Sequence, residues 1–358
     1  MNPAALRAEF PVFERVAYLN AGSNGPIPRR AIEAALVLLH SQLEDGRGDH
    51  RFFEQIVGSA IALRERISGW FGCEPGELVL THSTTDGANT VLAGLDLGPG
   101  DEVLTSDEEH PGLLAPLAVA RERCGFDLRI VPFAEVAGAS GPRTKLVATC
   151  HVSWVTGEVL GAAAIDAPVL LDGAQGLGAV PVDVRALGCD FYAASGQKWL
   201  CGPQGSGYLY VRRERLEELT VTRAGYPSLA DPGEALDAHW QPDTGRFLSD
   251  VPVPEHLPWS LAALDVLEDF GVERLHSRAA DLADSLAAQL DERGLEVAPR
   301  GRSTLVSWAA EDPEAEMTRL ADQGFVVRSL PSTPWVRASV GAWSDEGELE
   351  SLAAAAAG

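Results

Sequence analysis

Lysine is almost missing from this 358-residue chain. Of its 28 basic side chains, 26 are arginine and two are lysine, Lys145 and Lys198. Chemistry that needs a side-chain primary amine therefore has two candidates. A genome of biased base composition also produces an arginine excess, so the count by itself assigns no function. Other absences exclude more. No run of about 18 apolar residues occurs, so no membrane span is expected. The first residues, MNPAALRAEFPVFERV, lack the basic-then-apolar pattern of a secretory signal, and the small apolar tail SLAAAAAG is too short to span. The five cysteines (Cys73, Cys124, Cys150, Cys189 and Cys201) are odd in number and form no CxxC. That is the pattern of free cytosolic thiols, not of a disulfide frame or a zinc site, and no metal is expected. With 52 acidic side chains the formal net charge is −24. Such acidity argues against binding a nucleic-acid backbone, which needs a clustered basic surface. The expectation is a soluble cytoplasmic protein with neither a membrane nor a nucleic acid as partner.

What remains is ample chain for one large or two moderate domains. There are no repeats, low-complexity segments or long linkers. Short apolar runs bounded by Gly, Pro, Asp or Ser read as buried strands: Leu78–Thr81, Glu102–Thr105, Leu128–Val131, Leu146–Cys150, Val169–Asp172, Phe191–Ser195 and Gly207–Val211. Helical patterns over Phe52–Trp70, Thr85–Leu95 and Pro111–Arg123 lie between them. Strand–helix alternation implies an α/β fold with a mainly parallel, seven-stranded sheet. After about Arg246 the pattern changes. A long helical region, Ser260–Arg293, leads into short elements over Thr304–Trp308, Pro313–Gln323, Phe325–Ser329, Val336–Val340 and Asp345–Ala354. The expected division is an N-terminal segment (1–20) packing near the small domain, a large α/β domain (21–245) and a small α+β domain (246–358).

Ligands of open α/β sheets bind beyond the carboxyl ends of the strands, so the residues following each strand carry the chemistry. The first strand runs into Thr81-His82-Ser83-Thr84-Thr85 at a helix start. Free N–H groups and the helix dipole there suit a phosphate, and an ordinary Ser/Thr N-cap gives the same pattern. His110 follows the second strand, where it either stacks on a ring and moves protons or is a solvated loop histidine. Asp172-Gly173-Ala174-Gln175 closes the fifth strand. An Asp after a buried apolar run is costly unless a cation meets it, for instance a protonated ring nitrogen; the alternative is a helix cap. Ser195-Gly196-Gln197-Lys198 closes the sixth strand, ahead of the glycine-rich Gly202–Gly207. A lysine in such a pocket can have its pKa lowered enough to form a Schiff base. Lys145 instead precedes a strand, at the wrong end of the sheet.

In this order, from Tyr18-Leu19-Asn20-Ala21-Gly22 to Val336-Arg337-Ala338-Ser339, the chain resembles the class V aminotransferase and cysteine desulfurase family of fold type I pyridoxal phosphate (PLP) enzymes. The resemblance implies PLP as cofactor and a homodimer. It implies Lys198 as the Schiff-base lysine, Asp172 at the pyridinium nitrogen and Gln175 at the ring 3′-oxygen. His110 would stack on the ring, and Thr84, Thr85, Ser195 and Gln197 would hold the phosphate. Arg337 would grip the substrate α-carboxylate, with Asn20 and Trp154 also facing substrate.

Three departures from the family pattern stand out. The segment Arg328–Trp335 has no cysteine where desulfurases carry their catalytic thiol. Cys201 is either a substitute or a buried structural thiol. Trp154 replaces an asparagine, and Arg246-Phe247-Leu248-Ser249-Asp250-Val251 lacks the threonine that reaches the partner subunit's phosphate. The resemblance therefore implies a PLP enzyme acting on an amino acid by C–S lyase or β-elimination chemistry. Aminotransferase and epimerase are the alternatives, followed by a non-catalytic PLP-binding module and a phosphate-binding α/β enzyme without PLP.

Overall fold

The computed structural model describes residues 1–162 and 165–358. The chain opens with a short helix, α1 (Pro3–Ala8), and a two-residue strand, β1 (Ala17–Tyr18). The apolar runs then become one seven-stranded sheet: β2 (Leu78–Thr81), β3 (Glu102–Ser106), β4 (Asp127–Val131), β5 (Thr144–Cys150), β6 (Val169–Asp172), β7 (Phe191–Ser195) and β8 (Gly207–Val211). Four of these have the bounds the sequence suggests; β3, β4 and β5 are longer by one or two residues. The order across the sheet is β2-β8-β7-β6-β5-β3-β4, and within it β8 alone runs against its neighbours. The carboxyl ends of the other six strands therefore share one edge.

Apart from the edge strand β4, both faces of the sheet are buried, which is why its inner strands are largely apolar runs. Val169 and Leu171 pack with Leu104, Val147 and Tyr192 on one face. Leu170, between them, packs with Val103, Ala148 and Ala193 on the other. The first face is covered by α2 (Arg29–Asp45), α3 (His50–Phe71) and, late in the chain, α7 (His256–Phe270); a single turn, α6 (Val184–Leu187), intervenes in sequence. The second face is covered by α4 (Thr84–Gly94) and α5 (Pro111–Cys124). Each large side chain so buried contributes roughly 1.5–3 kcal/mol. The sheet edge is thus a rigid platform for the side chains beyond it.

The long helical region Ser260–Arg293 is not one helix. Gly271, at φ +99°, separates α7 from α8 (Val272–Glu292), because a left-handed residue cannot continue a right-handed helix. The apolar residues of α7 join the core under the sheet, although they lie beyond residue 246. A separate core begins at Leu282, midway along α8. It also contains β9 (Leu305–Ala309), α9 (Pro313–Asp322) and α10 (Glu346–Ala356). The stretch Phe325–Ser329 splits as well. β10 (Phe325–Val326) pairs with β1, whereas β11 (Arg328–Ser329) joins β12 (Trp335–Ser339) and β9 in a three-stranded antiparallel sheet. Ala17 and Leu19 enter this second core, and Phe10 packs on Trp343.

One close approach fixes the edge of the large sheet. A Cβ on Gly207 would lie 2.6 Å from the Ser83 backbone, just before α4. Gly207→Ala must push β8 and the start of α4 apart, and overpacking of this kind costs about 1–3 kcal/mol. A urea melt should show that loss; unchanged stability would mean that the approach is not tight in solution.

Candidate active site

A cavity of about 340 Å³ opens at the shared strand edge, against the second core. Its wall contains Thr84, Thr85, His110, Trp154, Asp172, Gln175, Ser195, Gln197, Lys198 and Arg337. The structure brings these ten expected residues together and leaves out Asn20. The Asn20 backbone instead bridges to Ser339, and Gly22, two residues on, takes the place in the wall. Ser83, from the same hydroxyl-rich helix start, lines the cavity as well, and Arg328, Ser23 and Gly112, which were not expected there, join it. Lys145 is exposed on β5, and Cys201 is buried outside the cavity.

Local structure sets each group. Ser83 caps α4 by accepting from the Asp86 N–H at 3.0 Å. The Thr84 and Ser195 hydroxyls meet at 2.6 Å, and Thr85 donates to the Gly112 carbonyl at 2.9 Å. Hydroxyls and a helix N-terminus so gathered suit a phosphate. Asp172 ends the buried strand β6 and accepts from the Ala174 N–H at 2.9 Å. Burial raises its pKa, opposed by that hydrogen bond and by Lys198. A cation beside it would restore the charge that burial disfavours. Gln175 accepts from the Trp199 indole at 3.0 Å and donates to the Gly22 carbonyl at 2.8 Å, which fixes its amide orientation.

Lys198 follows β7, and its neighbour Gln197 accepts through its backbone carbonyl from Gly25 N–H at 2.8 Å. Burial pushes the Lys198 ammonium down to about 8, Arg337 and Arg328 push the same way, and Asp172 opposes them. His110 caps α5, its Nδ1 accepting from the Gly112 N–H at 2.9 Å. The proton of the neutral ring therefore sits on Nε2. Burial, with Lys198, Arg328 and Arg337, pushes this imidazole down to about 4. The Trp154 ring meets it edge-on at 4.9 Å and 86°.

Arg337 is fully buried. It is on β12, whose Val336 and Ala338 fill the second core while Arg337 reaches the cavity. Nη1 donates to the Trp154 carbonyl at 2.5 Å, and Nε and Nη2 have no partner among the described residues. A buried guanidinium with unpaired donors calls for an anionic ligand. Ser307 donates to the Val155 carbonyl at 2.5 Å and Ser303 to the Gly157 carbonyl at 2.6 Å. Together with Arg337 they pin the loop bearing Trp154 to the second core. Arg328 donates to Ser23 Oγ at 2.9 Å and pairs with no carboxylate among the described residues.

Two further buried imidazoles, His151 and His276, are pushed down to about 4 by burial. Both remain neutral in the folded chain where the unfolded chain takes up protons, so stability falls as pH drops from 6.5 towards 4. Each accounts for roughly 2–3 kcal/mol of that fall by pH 4. His276→Phe, which keeps the edge contact to Trp70, should flatten the acid limb of a urea-melt series. An unchanged limb would mean that His276 titrates normally.

The donor set fits PLP. A phosphate would find hydroxyls at a helix start, a ring nitrogen would find Asp172, and the same wall holds an amine and a guanidinium with donors unpaired among the described residues. Similarity to known proteins agrees with this arrangement. The cysteine desulfurase of Klebsiella pneumoniae (strain 342) is 31% identical over 296 residues, 75% of this chain and 73% of that protein. A solved complex of the cystine C–S lyase C-DES with its product cysteine persulfide superposes with a TM-score of 0.90 at 28% identity, covering 97% of this chain and 99% of that one. A C-DES mutant carrying glycine covalently linked to its PLP cofactor gives 0.91 at 28% identity over 98% of both chains. The seven-stranded sheet and its cavity edge thus have the fold type I architecture of these PLP proteins. The family model "Aminotransferase class-V" matches residues 17–344, and the chain belongs to that family.

Proposed function

We propose that the protein is a PLP-dependent C–S lyase that breaks the Cβ–S bond of a sulfur-bearing amino acid by β-elimination. The observation that carries this reading is the composition of the cavity wall: an amine (Lys198), a buried carboxyl (Asp172) and guanidiniums (Arg328 and Arg337), with no thiol among the described lining residues. Sulfur would then leave on the substrate's own fragment, without a protein persulfide. Burial pushes the Cys201 thiol up, and its carbonyl accepts from the Trp259 indole at 3.1 Å; both fit a structural thiol.

Thr84, Thr85, Ser195 and Gln197 would hold the phosphate, with Asp172, Gln175 and His110 around the ring. Bound there, PLP supplies an electron sink for charge developing at Cα. Lys198 would hold the cofactor through its amine and, when free and neutral at its lowered pKa, would take the Cα proton. Arg337 holds the α-carboxylate. Arg328, which has no carboxylate partner among the described residues, suits a second carboxylate at the same wall, which a disulfide-linked amino acid such as cystine has. The cystine C–S lyase activity of C-DES, named above, supports that substrate class. Trp154 narrows the cavity between His110 and Arg328.

A panel of amino acids on the PLP-loaded protein tests the reading. Pyruvate, ammonia and a sulfur product should appear together without any keto acid. Product formation only with a keto-acid acceptor would establish transamination instead; recovery of the inverted amino acid alone would establish epimerisation.

We also propose a homodimer. Val37 and Leu43 on α2 are 71% and 82% exposed, and α3 exposes Phe53, Val57 and Ile61; apolar surface of this extent suits an interface. Light scattering should give twice the chain mass, reduced to one by the double change Val37→Glu and Leu43→Glu. A monomeric parent protein would reject it.

A further inference from the structure

Glu109 stands immediately before His110 and is fully buried, yet the proposed reaction assigns it nothing. Its Oε1 accepts from Ser106 Oγ at 2.6 Å, Thr149 Oγ1 at 2.6 Å and the Cys150 N–H at 3.0 Å. Oε2 has no partner among the described residues. Ser106 ends β3, and Thr149 and Cys150 end β5. One carboxylate oxygen thus ties the ends of two neighbouring parallel strands together at the cavity edge.

Both sides of this tie lead to the site. On one side the next residue is His110, whose ring lines the cavity. On the other, Cys150 lies in register with Asp172 on β6, and the His151 N–H donates to the Asp172 carbonyl at 2.9 Å. Burial pushes the Glu109 carboxyl up to about 7; its three hydrogen bonds pull it down and the nearby Asp172 adds to the rise. Keeping such a group in the core is costly, and a purely apolar residue would fill the space without that cost. Three convergent donors on one oxygen instead fix a direction, as hydrogen-bonded supports of catalytic groups do.

We propose that Glu109 is a positioning residue: it holds the His110 ring and, across β5, the Asp172 carboxyl in the geometry the reaction needs. Its connection to chemistry rests on the lyase reading, but its effect on His110 does not.

The test compares Glu109→Ala and Glu109→Gln in the PLP-loaded protein by three readouts. Imidazole nitrogen spectra should show that His110 loses its fixed Nε2–H tautomer in Glu109→Ala. Visible circular dichroism, which reports the tilt of bound PLP, should fall in the same variant. Its kcat should drop roughly 10- to 100-fold with KM nearly unchanged, the cost of misplacing a group by about an ångström. Glu109→Gln keeps the acceptor oxygen and should recover most of each signal. A His110 spectrum and dichroism unchanged in Glu109→Ala, with only the melting temperature lowered, would overturn the proposal. If Glu109→Ala does not fold, Ser106→Ala and Thr149→Val each remove one donor and should shift the His110 spectrum in the same direction; no shift in either would also overturn it. Should the substrate panel give no lyase products while the His110 shift persists, the function fails and the positioning role stands.

Discussion

Lys198→Ala should lower turnover by ~1,000-fold or more, because the change removes both the covalent anchor and the base for the Cα proton. The two lysines differ in everything that matters to this chemistry. Lys198 follows the carboxyl end of β7 in the cavity wall, and burial and two arginines push its ammonium down to about 8. A substantial share is then neutral near physiological pH, as a nucleophile must be. Lys145 is exposed near the start of β5, at the far edge of the sheet. Borohydride treatment of the loaded wild-type protein, followed by peptide mass spectrometry, should place the cofactor adduct on Lys198. In the variant, PLP should still bind through the phosphate and ring contacts but leave no reducible link. An adduct persisting on Lys145 would overturn the assignment.

The inner strands were legible because they are buried on both faces. Apolar runs ending in Asp172 or Ser195 stop where the sheet stops, and the residues that close them are the ones that face the cavity. Helix breaks were less visible. The apolar repeat passes through Gly271 unchanged, and only its left-handed backbone ends α7 there; α8 then runs from the core under the sheet into the second one. Phe325–Ser329 looks like one strand because Val327 is apolar too, yet its two ends pair with different partners. Arg328 escaped notice for the same reason: it stands on a two-residue strand, where no periodicity marks a direction. Asn20 was expected by resemblance alone, and its backbone bridge to Ser339 leaves Gly22 as the residue that reaches the wall. Glu109 was invisible because its partners on β5 are 40 and 41 residues away. Sequence spacing reports local geometry; the support of a site is made of long-range bonds.

Arg337→Ala should raise KM by roughly 10- to 150-fold, corresponding to about 1.5–3 kcal/mol for lost charged hydrogen bonds, with a smaller effect on kcat. Stability should respond differently. The substitution removes the donor to the Trp154 carbonyl and leaves a hole, both of which destabilise. It also removes a buried cation with two donors unpaired among the described residues, whose burial is itself unfavourable. These effects oppose one another, so the ligand-free melting temperature should move little compared with the affinity. Arg337→Lys keeps the charge but not the planar fork, and should recover only part of the binding. Calorimetry with a non-reactive amino acid and with its decarboxylated amine separates the contributions. The wild type should prefer the acid strongly, and Arg337→Ala should bind the two almost alike. Retained preference for the acid would move the α-carboxylate to Arg328, the other guanidinium in the wall.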